Sequence, residues 1–398
     1  MYRKKILIII PTFPYPARRN GVSIRYFPII EHLGRTNDVH VVCICNKAFD
    51  EIYIKELKKH VSDVSVYVRE KVNPNIVSKM KNRIASLVPG RKPYSFRCYD
   101  NERIKDFISK RCEGIEFDST VCVTTQYFDI TKRSVNSKKY FIDGIDSSYL
   151  HYKRRSGKSI LENIDTKALA SWESKCLRVA EGASYVSPVD RDQMQSIAGS
   201  KASIKLIPNG LYFEDYKDES IVNDKFTLGF LGNMQYDSNI RAALDLYHIF
   251  LILRERGFNL KLKIIGRRPV ENIRKLAEDN DVEVTGSVSS IWPHINGVDV
   301  FVFPMTIGSG QQNKLLEAMY ASKPVVTTSL GNSGIGGESF KDLVVADSEE
   351  DMVSAIAKIY SDNNLIKKLQ TNSKIFVEGM YSWERILKEL DRFWLSCD

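Results

Sequence analysis

Lys314 and Glu317 stand three residues apart in the segment FVFPMTIGSGQQNKLLEAMYASKP, residues 301–324, a spacing that puts both on one face of a helix. The apolar run ending at Phe303 reads as a strand, Gly308-Ser309-Gly310 as a small-residue loop, and residues 311–320, from Gln311 to Tyr320, as the helix. Glycines let a backbone approach a ligand closely, and the amides of a helix N-terminus favour negative charge. A cation in the first turn would suit a diphosphate, and a carboxylate one turn deeper would suit sugar hydroxyls. The same residues would also serve as a solvated ion pair beside a plain turn, and composition leaves the two readings level. The segment is not a Walker A loop, because Lys314 lacks the flanking glycine and Ser/Thr.

Three further loops follow apolar, β-branched runs. Gly266-Arg267-Arg268-Pro269 ends KLKIIG and offers two guanidinium groups able to grip phosphate oxygens in pairs, or a basic surface turn. Gly232 and Asn233 sit in GFLGNMQYDSN, and Gly286-Ser287-Val288 follows VEVT. In the N-terminal half, PTFPYPARRNG brings Arg18, Arg19, Gly21 and Arg25 to the start of a helix as candidates for a phosphate. FIDGIDSSYLHYKR brings Asp143, Asp146 and His151 just past a strand, where one of them could orient an acceptor hydroxyl. For each of these a structural hydrogen-bonding role is the first reading and the functional role the second. His32 and His40 read as packing or surface histidines. No D-x-D motif or metal-ligand cluster stands in a strand-end loop, so no metal is expected.

The elements that must position these loops are short strands alternating with helices, the pattern of parallel sheets built from βαβ units. Strands are expected at 5–10, 39–44, 64–68, 120–124, 139–142 and 183–186, with helices at 23–33 and 50–60. After the turn Pro208-Asn209-Gly210 and a polar stretch to Lys225, the rhythm restarts, with strands at 226–231, 260–265, 282–285, 300–303, 324–328 and 343–345. The expected fold class is α/β, with two Rossmann-like doubly wound domains facing each other across a cleft. Residues 1–207 would form an N-terminal domain and residues 208–381 a C-terminal domain. Residues 382–398, SWERILKELDRFWLSCD, would form a closing amphipathic helix packing back toward the N-terminal domain. In open sheets of this kind ligands bind beyond the carboxyl ends of the strands.

The chain has 398 residues, enough for two cores, and no apolar run of the ~18–20 residues a membrane span needs. The run Ile6–Ile10 stops at Pro11 and reads as a buried strand rather than a leader. Seven cysteines without a C-x-x-C pair suggest reduced core thiols and a cytoplasmic setting. The net charge of +9 is uneven: residues 1–200 hold 35 Lys+Arg against 22 Asp+Glu, the remainder 23 against 27. The basic half should therefore meet something anionic. Between Arg69 and Arg97, Ile76, Val77, Met80, Ile84, Leu87 and Val88 recur at near-helical spacing beside Lys79, Lys81 and Arg83. That pattern fits either a basic helix lying peripherally on an anionic membrane or an ordinary helix with a basic outer face. It has no nucleic-acid-binding motif and little aromatic interleaving, so no nucleic acid is expected.

Taken together, FLGNMQYDSN, IIGRRP, VEVTGSV, FVFPMTIGSGQQNKLLEAMYASKPVVTT and the closing YSW resemble family 4 glycosyltransferases of the GT-B fold. More narrowly, they are similar to the bacterial exopolysaccharide-type sugar transferases. PTFPYP…NGVSIRYFPIIEHL and SWESKCLRVAEGASYVSPVDRDQM fit as well. The resemblance implies a retaining, metal-independent transferase that needs no cofactor, moving a sugar from a nucleotide-diphosphate donor to a glycan or lipid-diphosphate-linked acceptor. It implies that Glu317 binds the nucleotide ribose and that Lys314 with the loop Gly308, Ser309, Gly310 and Gln311 holds the diphosphate and sugar. Residues 286–288, ending at Val288, would receive the base, and Gly21 would lie beside the diphosphate. Two positions depart from the pattern. Ser309 stands where the first of two paired glutamates is expected, and the Gly232-Asn233 loop lacks the usual Arg and Lys. The phosphate contacts would then fall to Arg267, Lys314 and Arg25 or Arg18, with Arg268 nearby. Lys314, Arg267 and Asp146 are the expected catalytic residues. A catalytically silent nucleotide-sugar-binding partner, prompted by Ser309, and a nucleotide-sugar epimerase are the alternatives.

Overall fold

The computed structural model describes residues 3–17, 21–70, 85–86, 88–97, 101–155, 160–212, 216, 223–307 and 310–395. They form two compact units, Met1–Asn209 with Ile386–Asp398, and Gly210–Arg385.

The first unit holds a seven-stranded parallel sheet in the order β3-β2-β1-β4-β5-β6-β7. Its strands are β1 (Lys5–Ile10), β2 (Asp38–Cys45), β3 (Asp63–Val68), β4 (Glu116–Val123), β5 (Asn136–Asp143), β6 (Gly182–Tyr185) and β7 (Ile204–Leu206). β1 reads KILIII, and Ile6 through Ile10 are wholly buried, as a strand covered on both faces requires. β4 and β5 begin earlier than the apolar runs suggest. Glu116 and Asn136 are exposed at the entry end of the sheet, where polar residues can pair without being buried. The helices that matter here are α1 (Gly21–Thr36), α2 (Ser148–Arg155), α3 (Ile160–Val179) and α4 (Pro188–Ala198). Cys43, Cys45, Cys112, Cys122 and Cys176 are buried free thiols.

The second unit holds a six-stranded parallel sheet in the order β10-β9-β8-β11-β12-β13. Its strands are β8 (Phe226–Leu231), β9 (Leu260–Ile265), β10 (Val282–Val284), β11 (Val300–Phe303), β12 (Val325–Thr327) and β13 (Val344–Val345). α5 (Asp237–Glu255) follows β8, and α6 (Asn313–Tyr320) follows β11. α6 starts two residues later than the sequence suggests, because Gln311 and Gln312 remain in the approach loop.

The chain ends in α7 (Trp383–Trp394), whose Trp383, Ile386, Leu390, Phe393 and Trp394 are all buried. From Ile386 onward it belongs to the first unit, where Phe393 packs edge-on to Phe141 and His32 meets Asp391 at 2.7 Å. Among the described residues no helix is long and apolar enough to cross a membrane. Most of the basic amphipathic element, residues 71–84 and 87, lies outside the described residues.

Candidate functional site

Each strand order reverses direction once, and at such a switch point the loops on either side diverge and leave a crevice. In the second unit the switch lies between β8 and β11. The loop after β8 carries Gly232 and Asn233, and the loop after β11 leads into α6 and Lys314. Lys314 joins the two. Its ammonium donates to Asn239 Oδ1 at 2.6 Å and to the Met305 thioether at 3.2 Å, and lies over the rings of Phe230 and Phe303. No carboxylate among the described residues pairs with it. Burial pushes the amine down from 10.5 to about 8. A half-hidden cation beside two aromatic faces and one amide oxygen is poised to take an anionic ligand.

The neighbouring loops are locked to one another through backbone. A Cβ on Gly266 would stand 1.7 Å from the Gly232 carbonyl oxygen, so only glycine lets the β8 and β9 loops meet. Gly232 N donates to Ile265 O at 2.9 Å and Met234 N to Arg267 O at 3.1 Å. Asn239 Nδ2 donates to Asn233 O at 2.9 Å, tying the start of α5 to the same loop. The Asn233 side chain accepts from Gln235 N at 3.2 Å and so shapes the turn. Arg268 has a left-handed backbone (φ 56°) and its guanidinium is held by Gln235 Oε1 at 2.7 Å. The Arg267 side chain is exposed and pairs with nothing among the described residues, which leaves it the more available of the two arginines. Beyond β10, Gly286 turns with φ 70° and Val288 is half-buried.

Gly308 and Ser309 lie outside the described residues. Gly310 takes φ 73°, and its carbonyl stands 2.0 Å from where a Cβ on Gly334 would be. Gln311 Nε2 donates to Asn313 Oδ1 at 3.1 Å. No side chain caps α6 and no acidic residue sits in its first turn, so its leading amides suit an anion. Glu317 follows Lys314 on the same helix and is half-buried.

In the first unit, Arg25 departs from the expectation. Its side chain is 0% exposed. Nε and Nη2 donate to Asp143 at 2.6 and 3.0 Å, and Nη1 donates to Pro208 O and Asn209 Oδ1, both at 3.1 Å. Tyr26 and Ser184 hydroxyls complete the Asp143 shell at 2.5 and 3.1 Å. Arg25 is thus committed to an internal ion pair rather than presented to a phosphate. Asp143, considered for an acceptor hydroxyl, is buried in the same pair. Gly21 opens α1 with open space around its Cβ position, and Arg18 and Arg19 lie outside the described residues. Asp146 is exposed in the loop after β5.

Two features were not legible as functional in the sequence. Asn239, Met305, Phe230 and Phe303 surround Lys314 but carry no spacing signal. Glu173, on α3, reads as one more helix-surface acid. It is instead fully buried, its carboxyl pushed up to about 7 by burial. Among the described residues no three His, Cys, Asp or Glu side chains gather as a metal site would require.

Residues 225–362 match the family model described as "Glycosyl transferases group 1". The capsular polysaccharide biosynthesis glycosyltransferase CapM of Staphylococcus aureus is 28% identical over 201 residues, 46% of this chain and 52% of CapM. Over that stretch the chain is similar to the group 1, or family 4, glycosyltransferases. A second relative, the uncharacterised glycosyltransferase MJ1069 of Methanocaldococcus jannaschii, is 26% identical over 44% of this chain and 46% of its own length. These matches span about half the length of the curated relatives. Likeness to solved structures of the GT-B fold extends over the whole chain. The apo lipopolysaccharide outer core galactosyltransferase WaaB superposes with a TM-score of 0.66 at 15% identity, covering 98% of both chains. Anabaena Alr3699/HepE, solved in complex with UDP-glucose, does so at 0.61 and 12%, covering 99% of this chain and 100% of its own.

Proposed function

We propose that this chain is a retaining glycosyltransferase that moves a sugar from a nucleotide-diphosphate donor to a glycan or lipid-linked acceptor during cell-surface polysaccharide synthesis. The observation that carries the reading is Lys314, a partly buried cation without a carboxylate partner among the described residues, at the switch point of the second unit. Breaking a sugar–diphosphate bond leaves negative charge on the nucleotide. Lys314, the exposed Arg267 and the uncapped amides of α6 are the groups that would meet that charge, and removing one such donor typically costs ~3–4 kcal/mol of barrier. Glu317 would hold the ribose hydroxyls, and the Gly286 turn with Val288 would accommodate the base. Asp146 would contact the acceptor hydroxyl. These preorganised donors would stand in for a divalent cation. Because HepE was solved with UDP-glucose bound, UDP is the first nucleotide to try.

A thermal-shift screen against UDP, GDP and ADP, with and without Mg²⁺, tests the donor reading. A ligand at ~100 times its Kd stabilises the native state by ~2.7 kcal/mol. One nucleotide class should raise the midpoint without metal and fail to do so in Glu317→Ala. No shift with any of the three would end the donor assignment.

A further inference from the structure

In the first unit the loops after β4 and β5 each hold a β-branched residue in left-handed backbone: Thr124 has φ 69° and Ile145 has φ 52°. Such conformations are disfavoured for these side chains and persist only where surrounding contacts fix them. Thr124 N donates to Asp143 O at 2.8 Å, and Val186 N donates to Ile145 O at 3.1 Å, so backbone supplies part of the restraint.

Most of the side-chain bonds that hold these two loops come from one carboxylate. Glu173 Oε1 accepts from Ser148 N at 3.1 Å and from the Thr125 hydroxyl at 3.5 Å. Its Oε2 accepts from the Ser147 hydroxyl at 2.9 Å and Tyr149 N at 3.2 Å. The preceding residue, Trp172, donates its indole N–H to Thr125 O at 3.2 Å. Adjacent residues of α3 therefore hold both strand-end loops at once, and Glu173 also caps the first amides of α2. Asp190 of α4 adds a bond from Ser147 N at 3.2 Å. Asp146, the exposed carboxylate of this loop, stands between Ile145 and the clamped Ser147.

We propose that Glu173 is a positioning residue: it fixes the loop of residues 144–149, and with it the Asp146 carboxylate, in the shape that meets an acceptor hydroxyl. The inference rests on the transferase reading for its ligand but on the geometry of the first unit alone for the clamp. The chemistry is specific to a carboxylate. Each oxygen accepts from a backbone N–H, so a glutamine in either orientation aims an N–H donor at another donor. The hydroxyls of Ser147 and Thr125 can rotate, whereas the amides of Ser148 and Tyr149 cannot.

The test uses the full chain, Glu173→Gln, and Ser147→Ala as a milder variant that removes one of the four donors. Hydrogen exchange of the peptide covering residues 144–150 should rise at least tenfold in Glu173→Gln and less in Ser147→Ala. Nucleotide Kd should stay within twofold of wild type, while KM for a p-nitrophenyl glycoside acceptor rises about tenfold. Unchanged exchange in both variants would overturn the clamp. Faster exchange with unchanged acceptor KM would overturn its role in acceptor binding. Absence of nucleotide binding by the wild type would count against the donor reading instead, and leave the exchange result interpretable.

Discussion

Replacing Lys314 by methionine should make the protein more stable and less able to hold a nucleotide. Burial lowers the Lys314 amine from 10.5 to about 8, so at neutral pH the folded state carries a charge it would hold more easily in water. At 1.36 kcal/mol per pKa unit that shift corresponds to about 3 kcal/mol as an upper bound. Methionine has similar length and would lie against Phe230, Phe303 and Met305, but it leaves Asn239 Oδ1 without its donor. A half-buried acceptor so orphaned costs about 1–2 kcal/mol, leaving a net gain of about 1–2 kcal/mol. For a unit of this size the melting midpoint should rise by about 2–8 °C. The sign of the pH dependence follows from a depressed lysine. The penalty is fully present below about 8 and is relieved as pH rises toward 10.5, so wild-type stability gains with pH across that window and the variant lacks the gain. Binding should move the other way. Loss of a charged hydrogen bond to phosphate, about 1.5–3 kcal/mol, weakens nucleotide affinity by about 10- to 150-fold. In the wild type, affinity should fall as pH passes about 8 and the free amine loses its proton. Scanning fluorimetry and titration calorimetry on the same samples read both effects. A variant that melts lower while binding nucleotide as well as wild type would contradict both the burial penalty and the phosphate contact.

Glu317→Gln should weaken nucleotide binding by about tenfold or more, the loss of a charged acceptor for ribose hydroxyls, with little change in melting; calorimetry against a 2′,3′-dideoxy nucleotide should show no difference between the two proteins. Gly266→Ala should destabilise the second unit by about 3 kcal/mol, because the Gly232 carbonyl cannot retreat from the new methyl without disturbing both loops; urea titration reads this directly. Arg25→Ala should cost about 3–5 kcal/mol by leaving the Asp143 carboxylate buried and unpaired. Wild-type stability in that variant, together with lost nucleotide affinity, would restore Arg25 to the phosphate. Arg267→Ala, at an exposed position, should leave the melting midpoint unchanged and slow sugar transfer, measured at saturating donor.

The α/β class and the two parallel sheets are legible in the sequence alone, because a strand covered on both faces must be apolar throughout and the runs at 5–10, 226–231 and 300–303 are. The segment carrying Lys314 and Glu317 stands out there too, since helical spacing and a glycine-rich approach are local properties. What those residues face is settled only by packing. Arg25 and Arg267 are both arginines beside strand-end loops, yet one is sealed against Asp143 and the other is open to solvent. Glu173 looks like any surface acid on a helix until α3 is packed against the loops after β4 and β5. Only then does one carboxylate find two backbone amides and two hydroxyls. Local pattern fixes which face of an element is apolar. Whether a charged side chain ends in water, in an ion pair or in a cage of amides depends on partners brought in from distant parts of the chain, and no local pattern encodes those encounters.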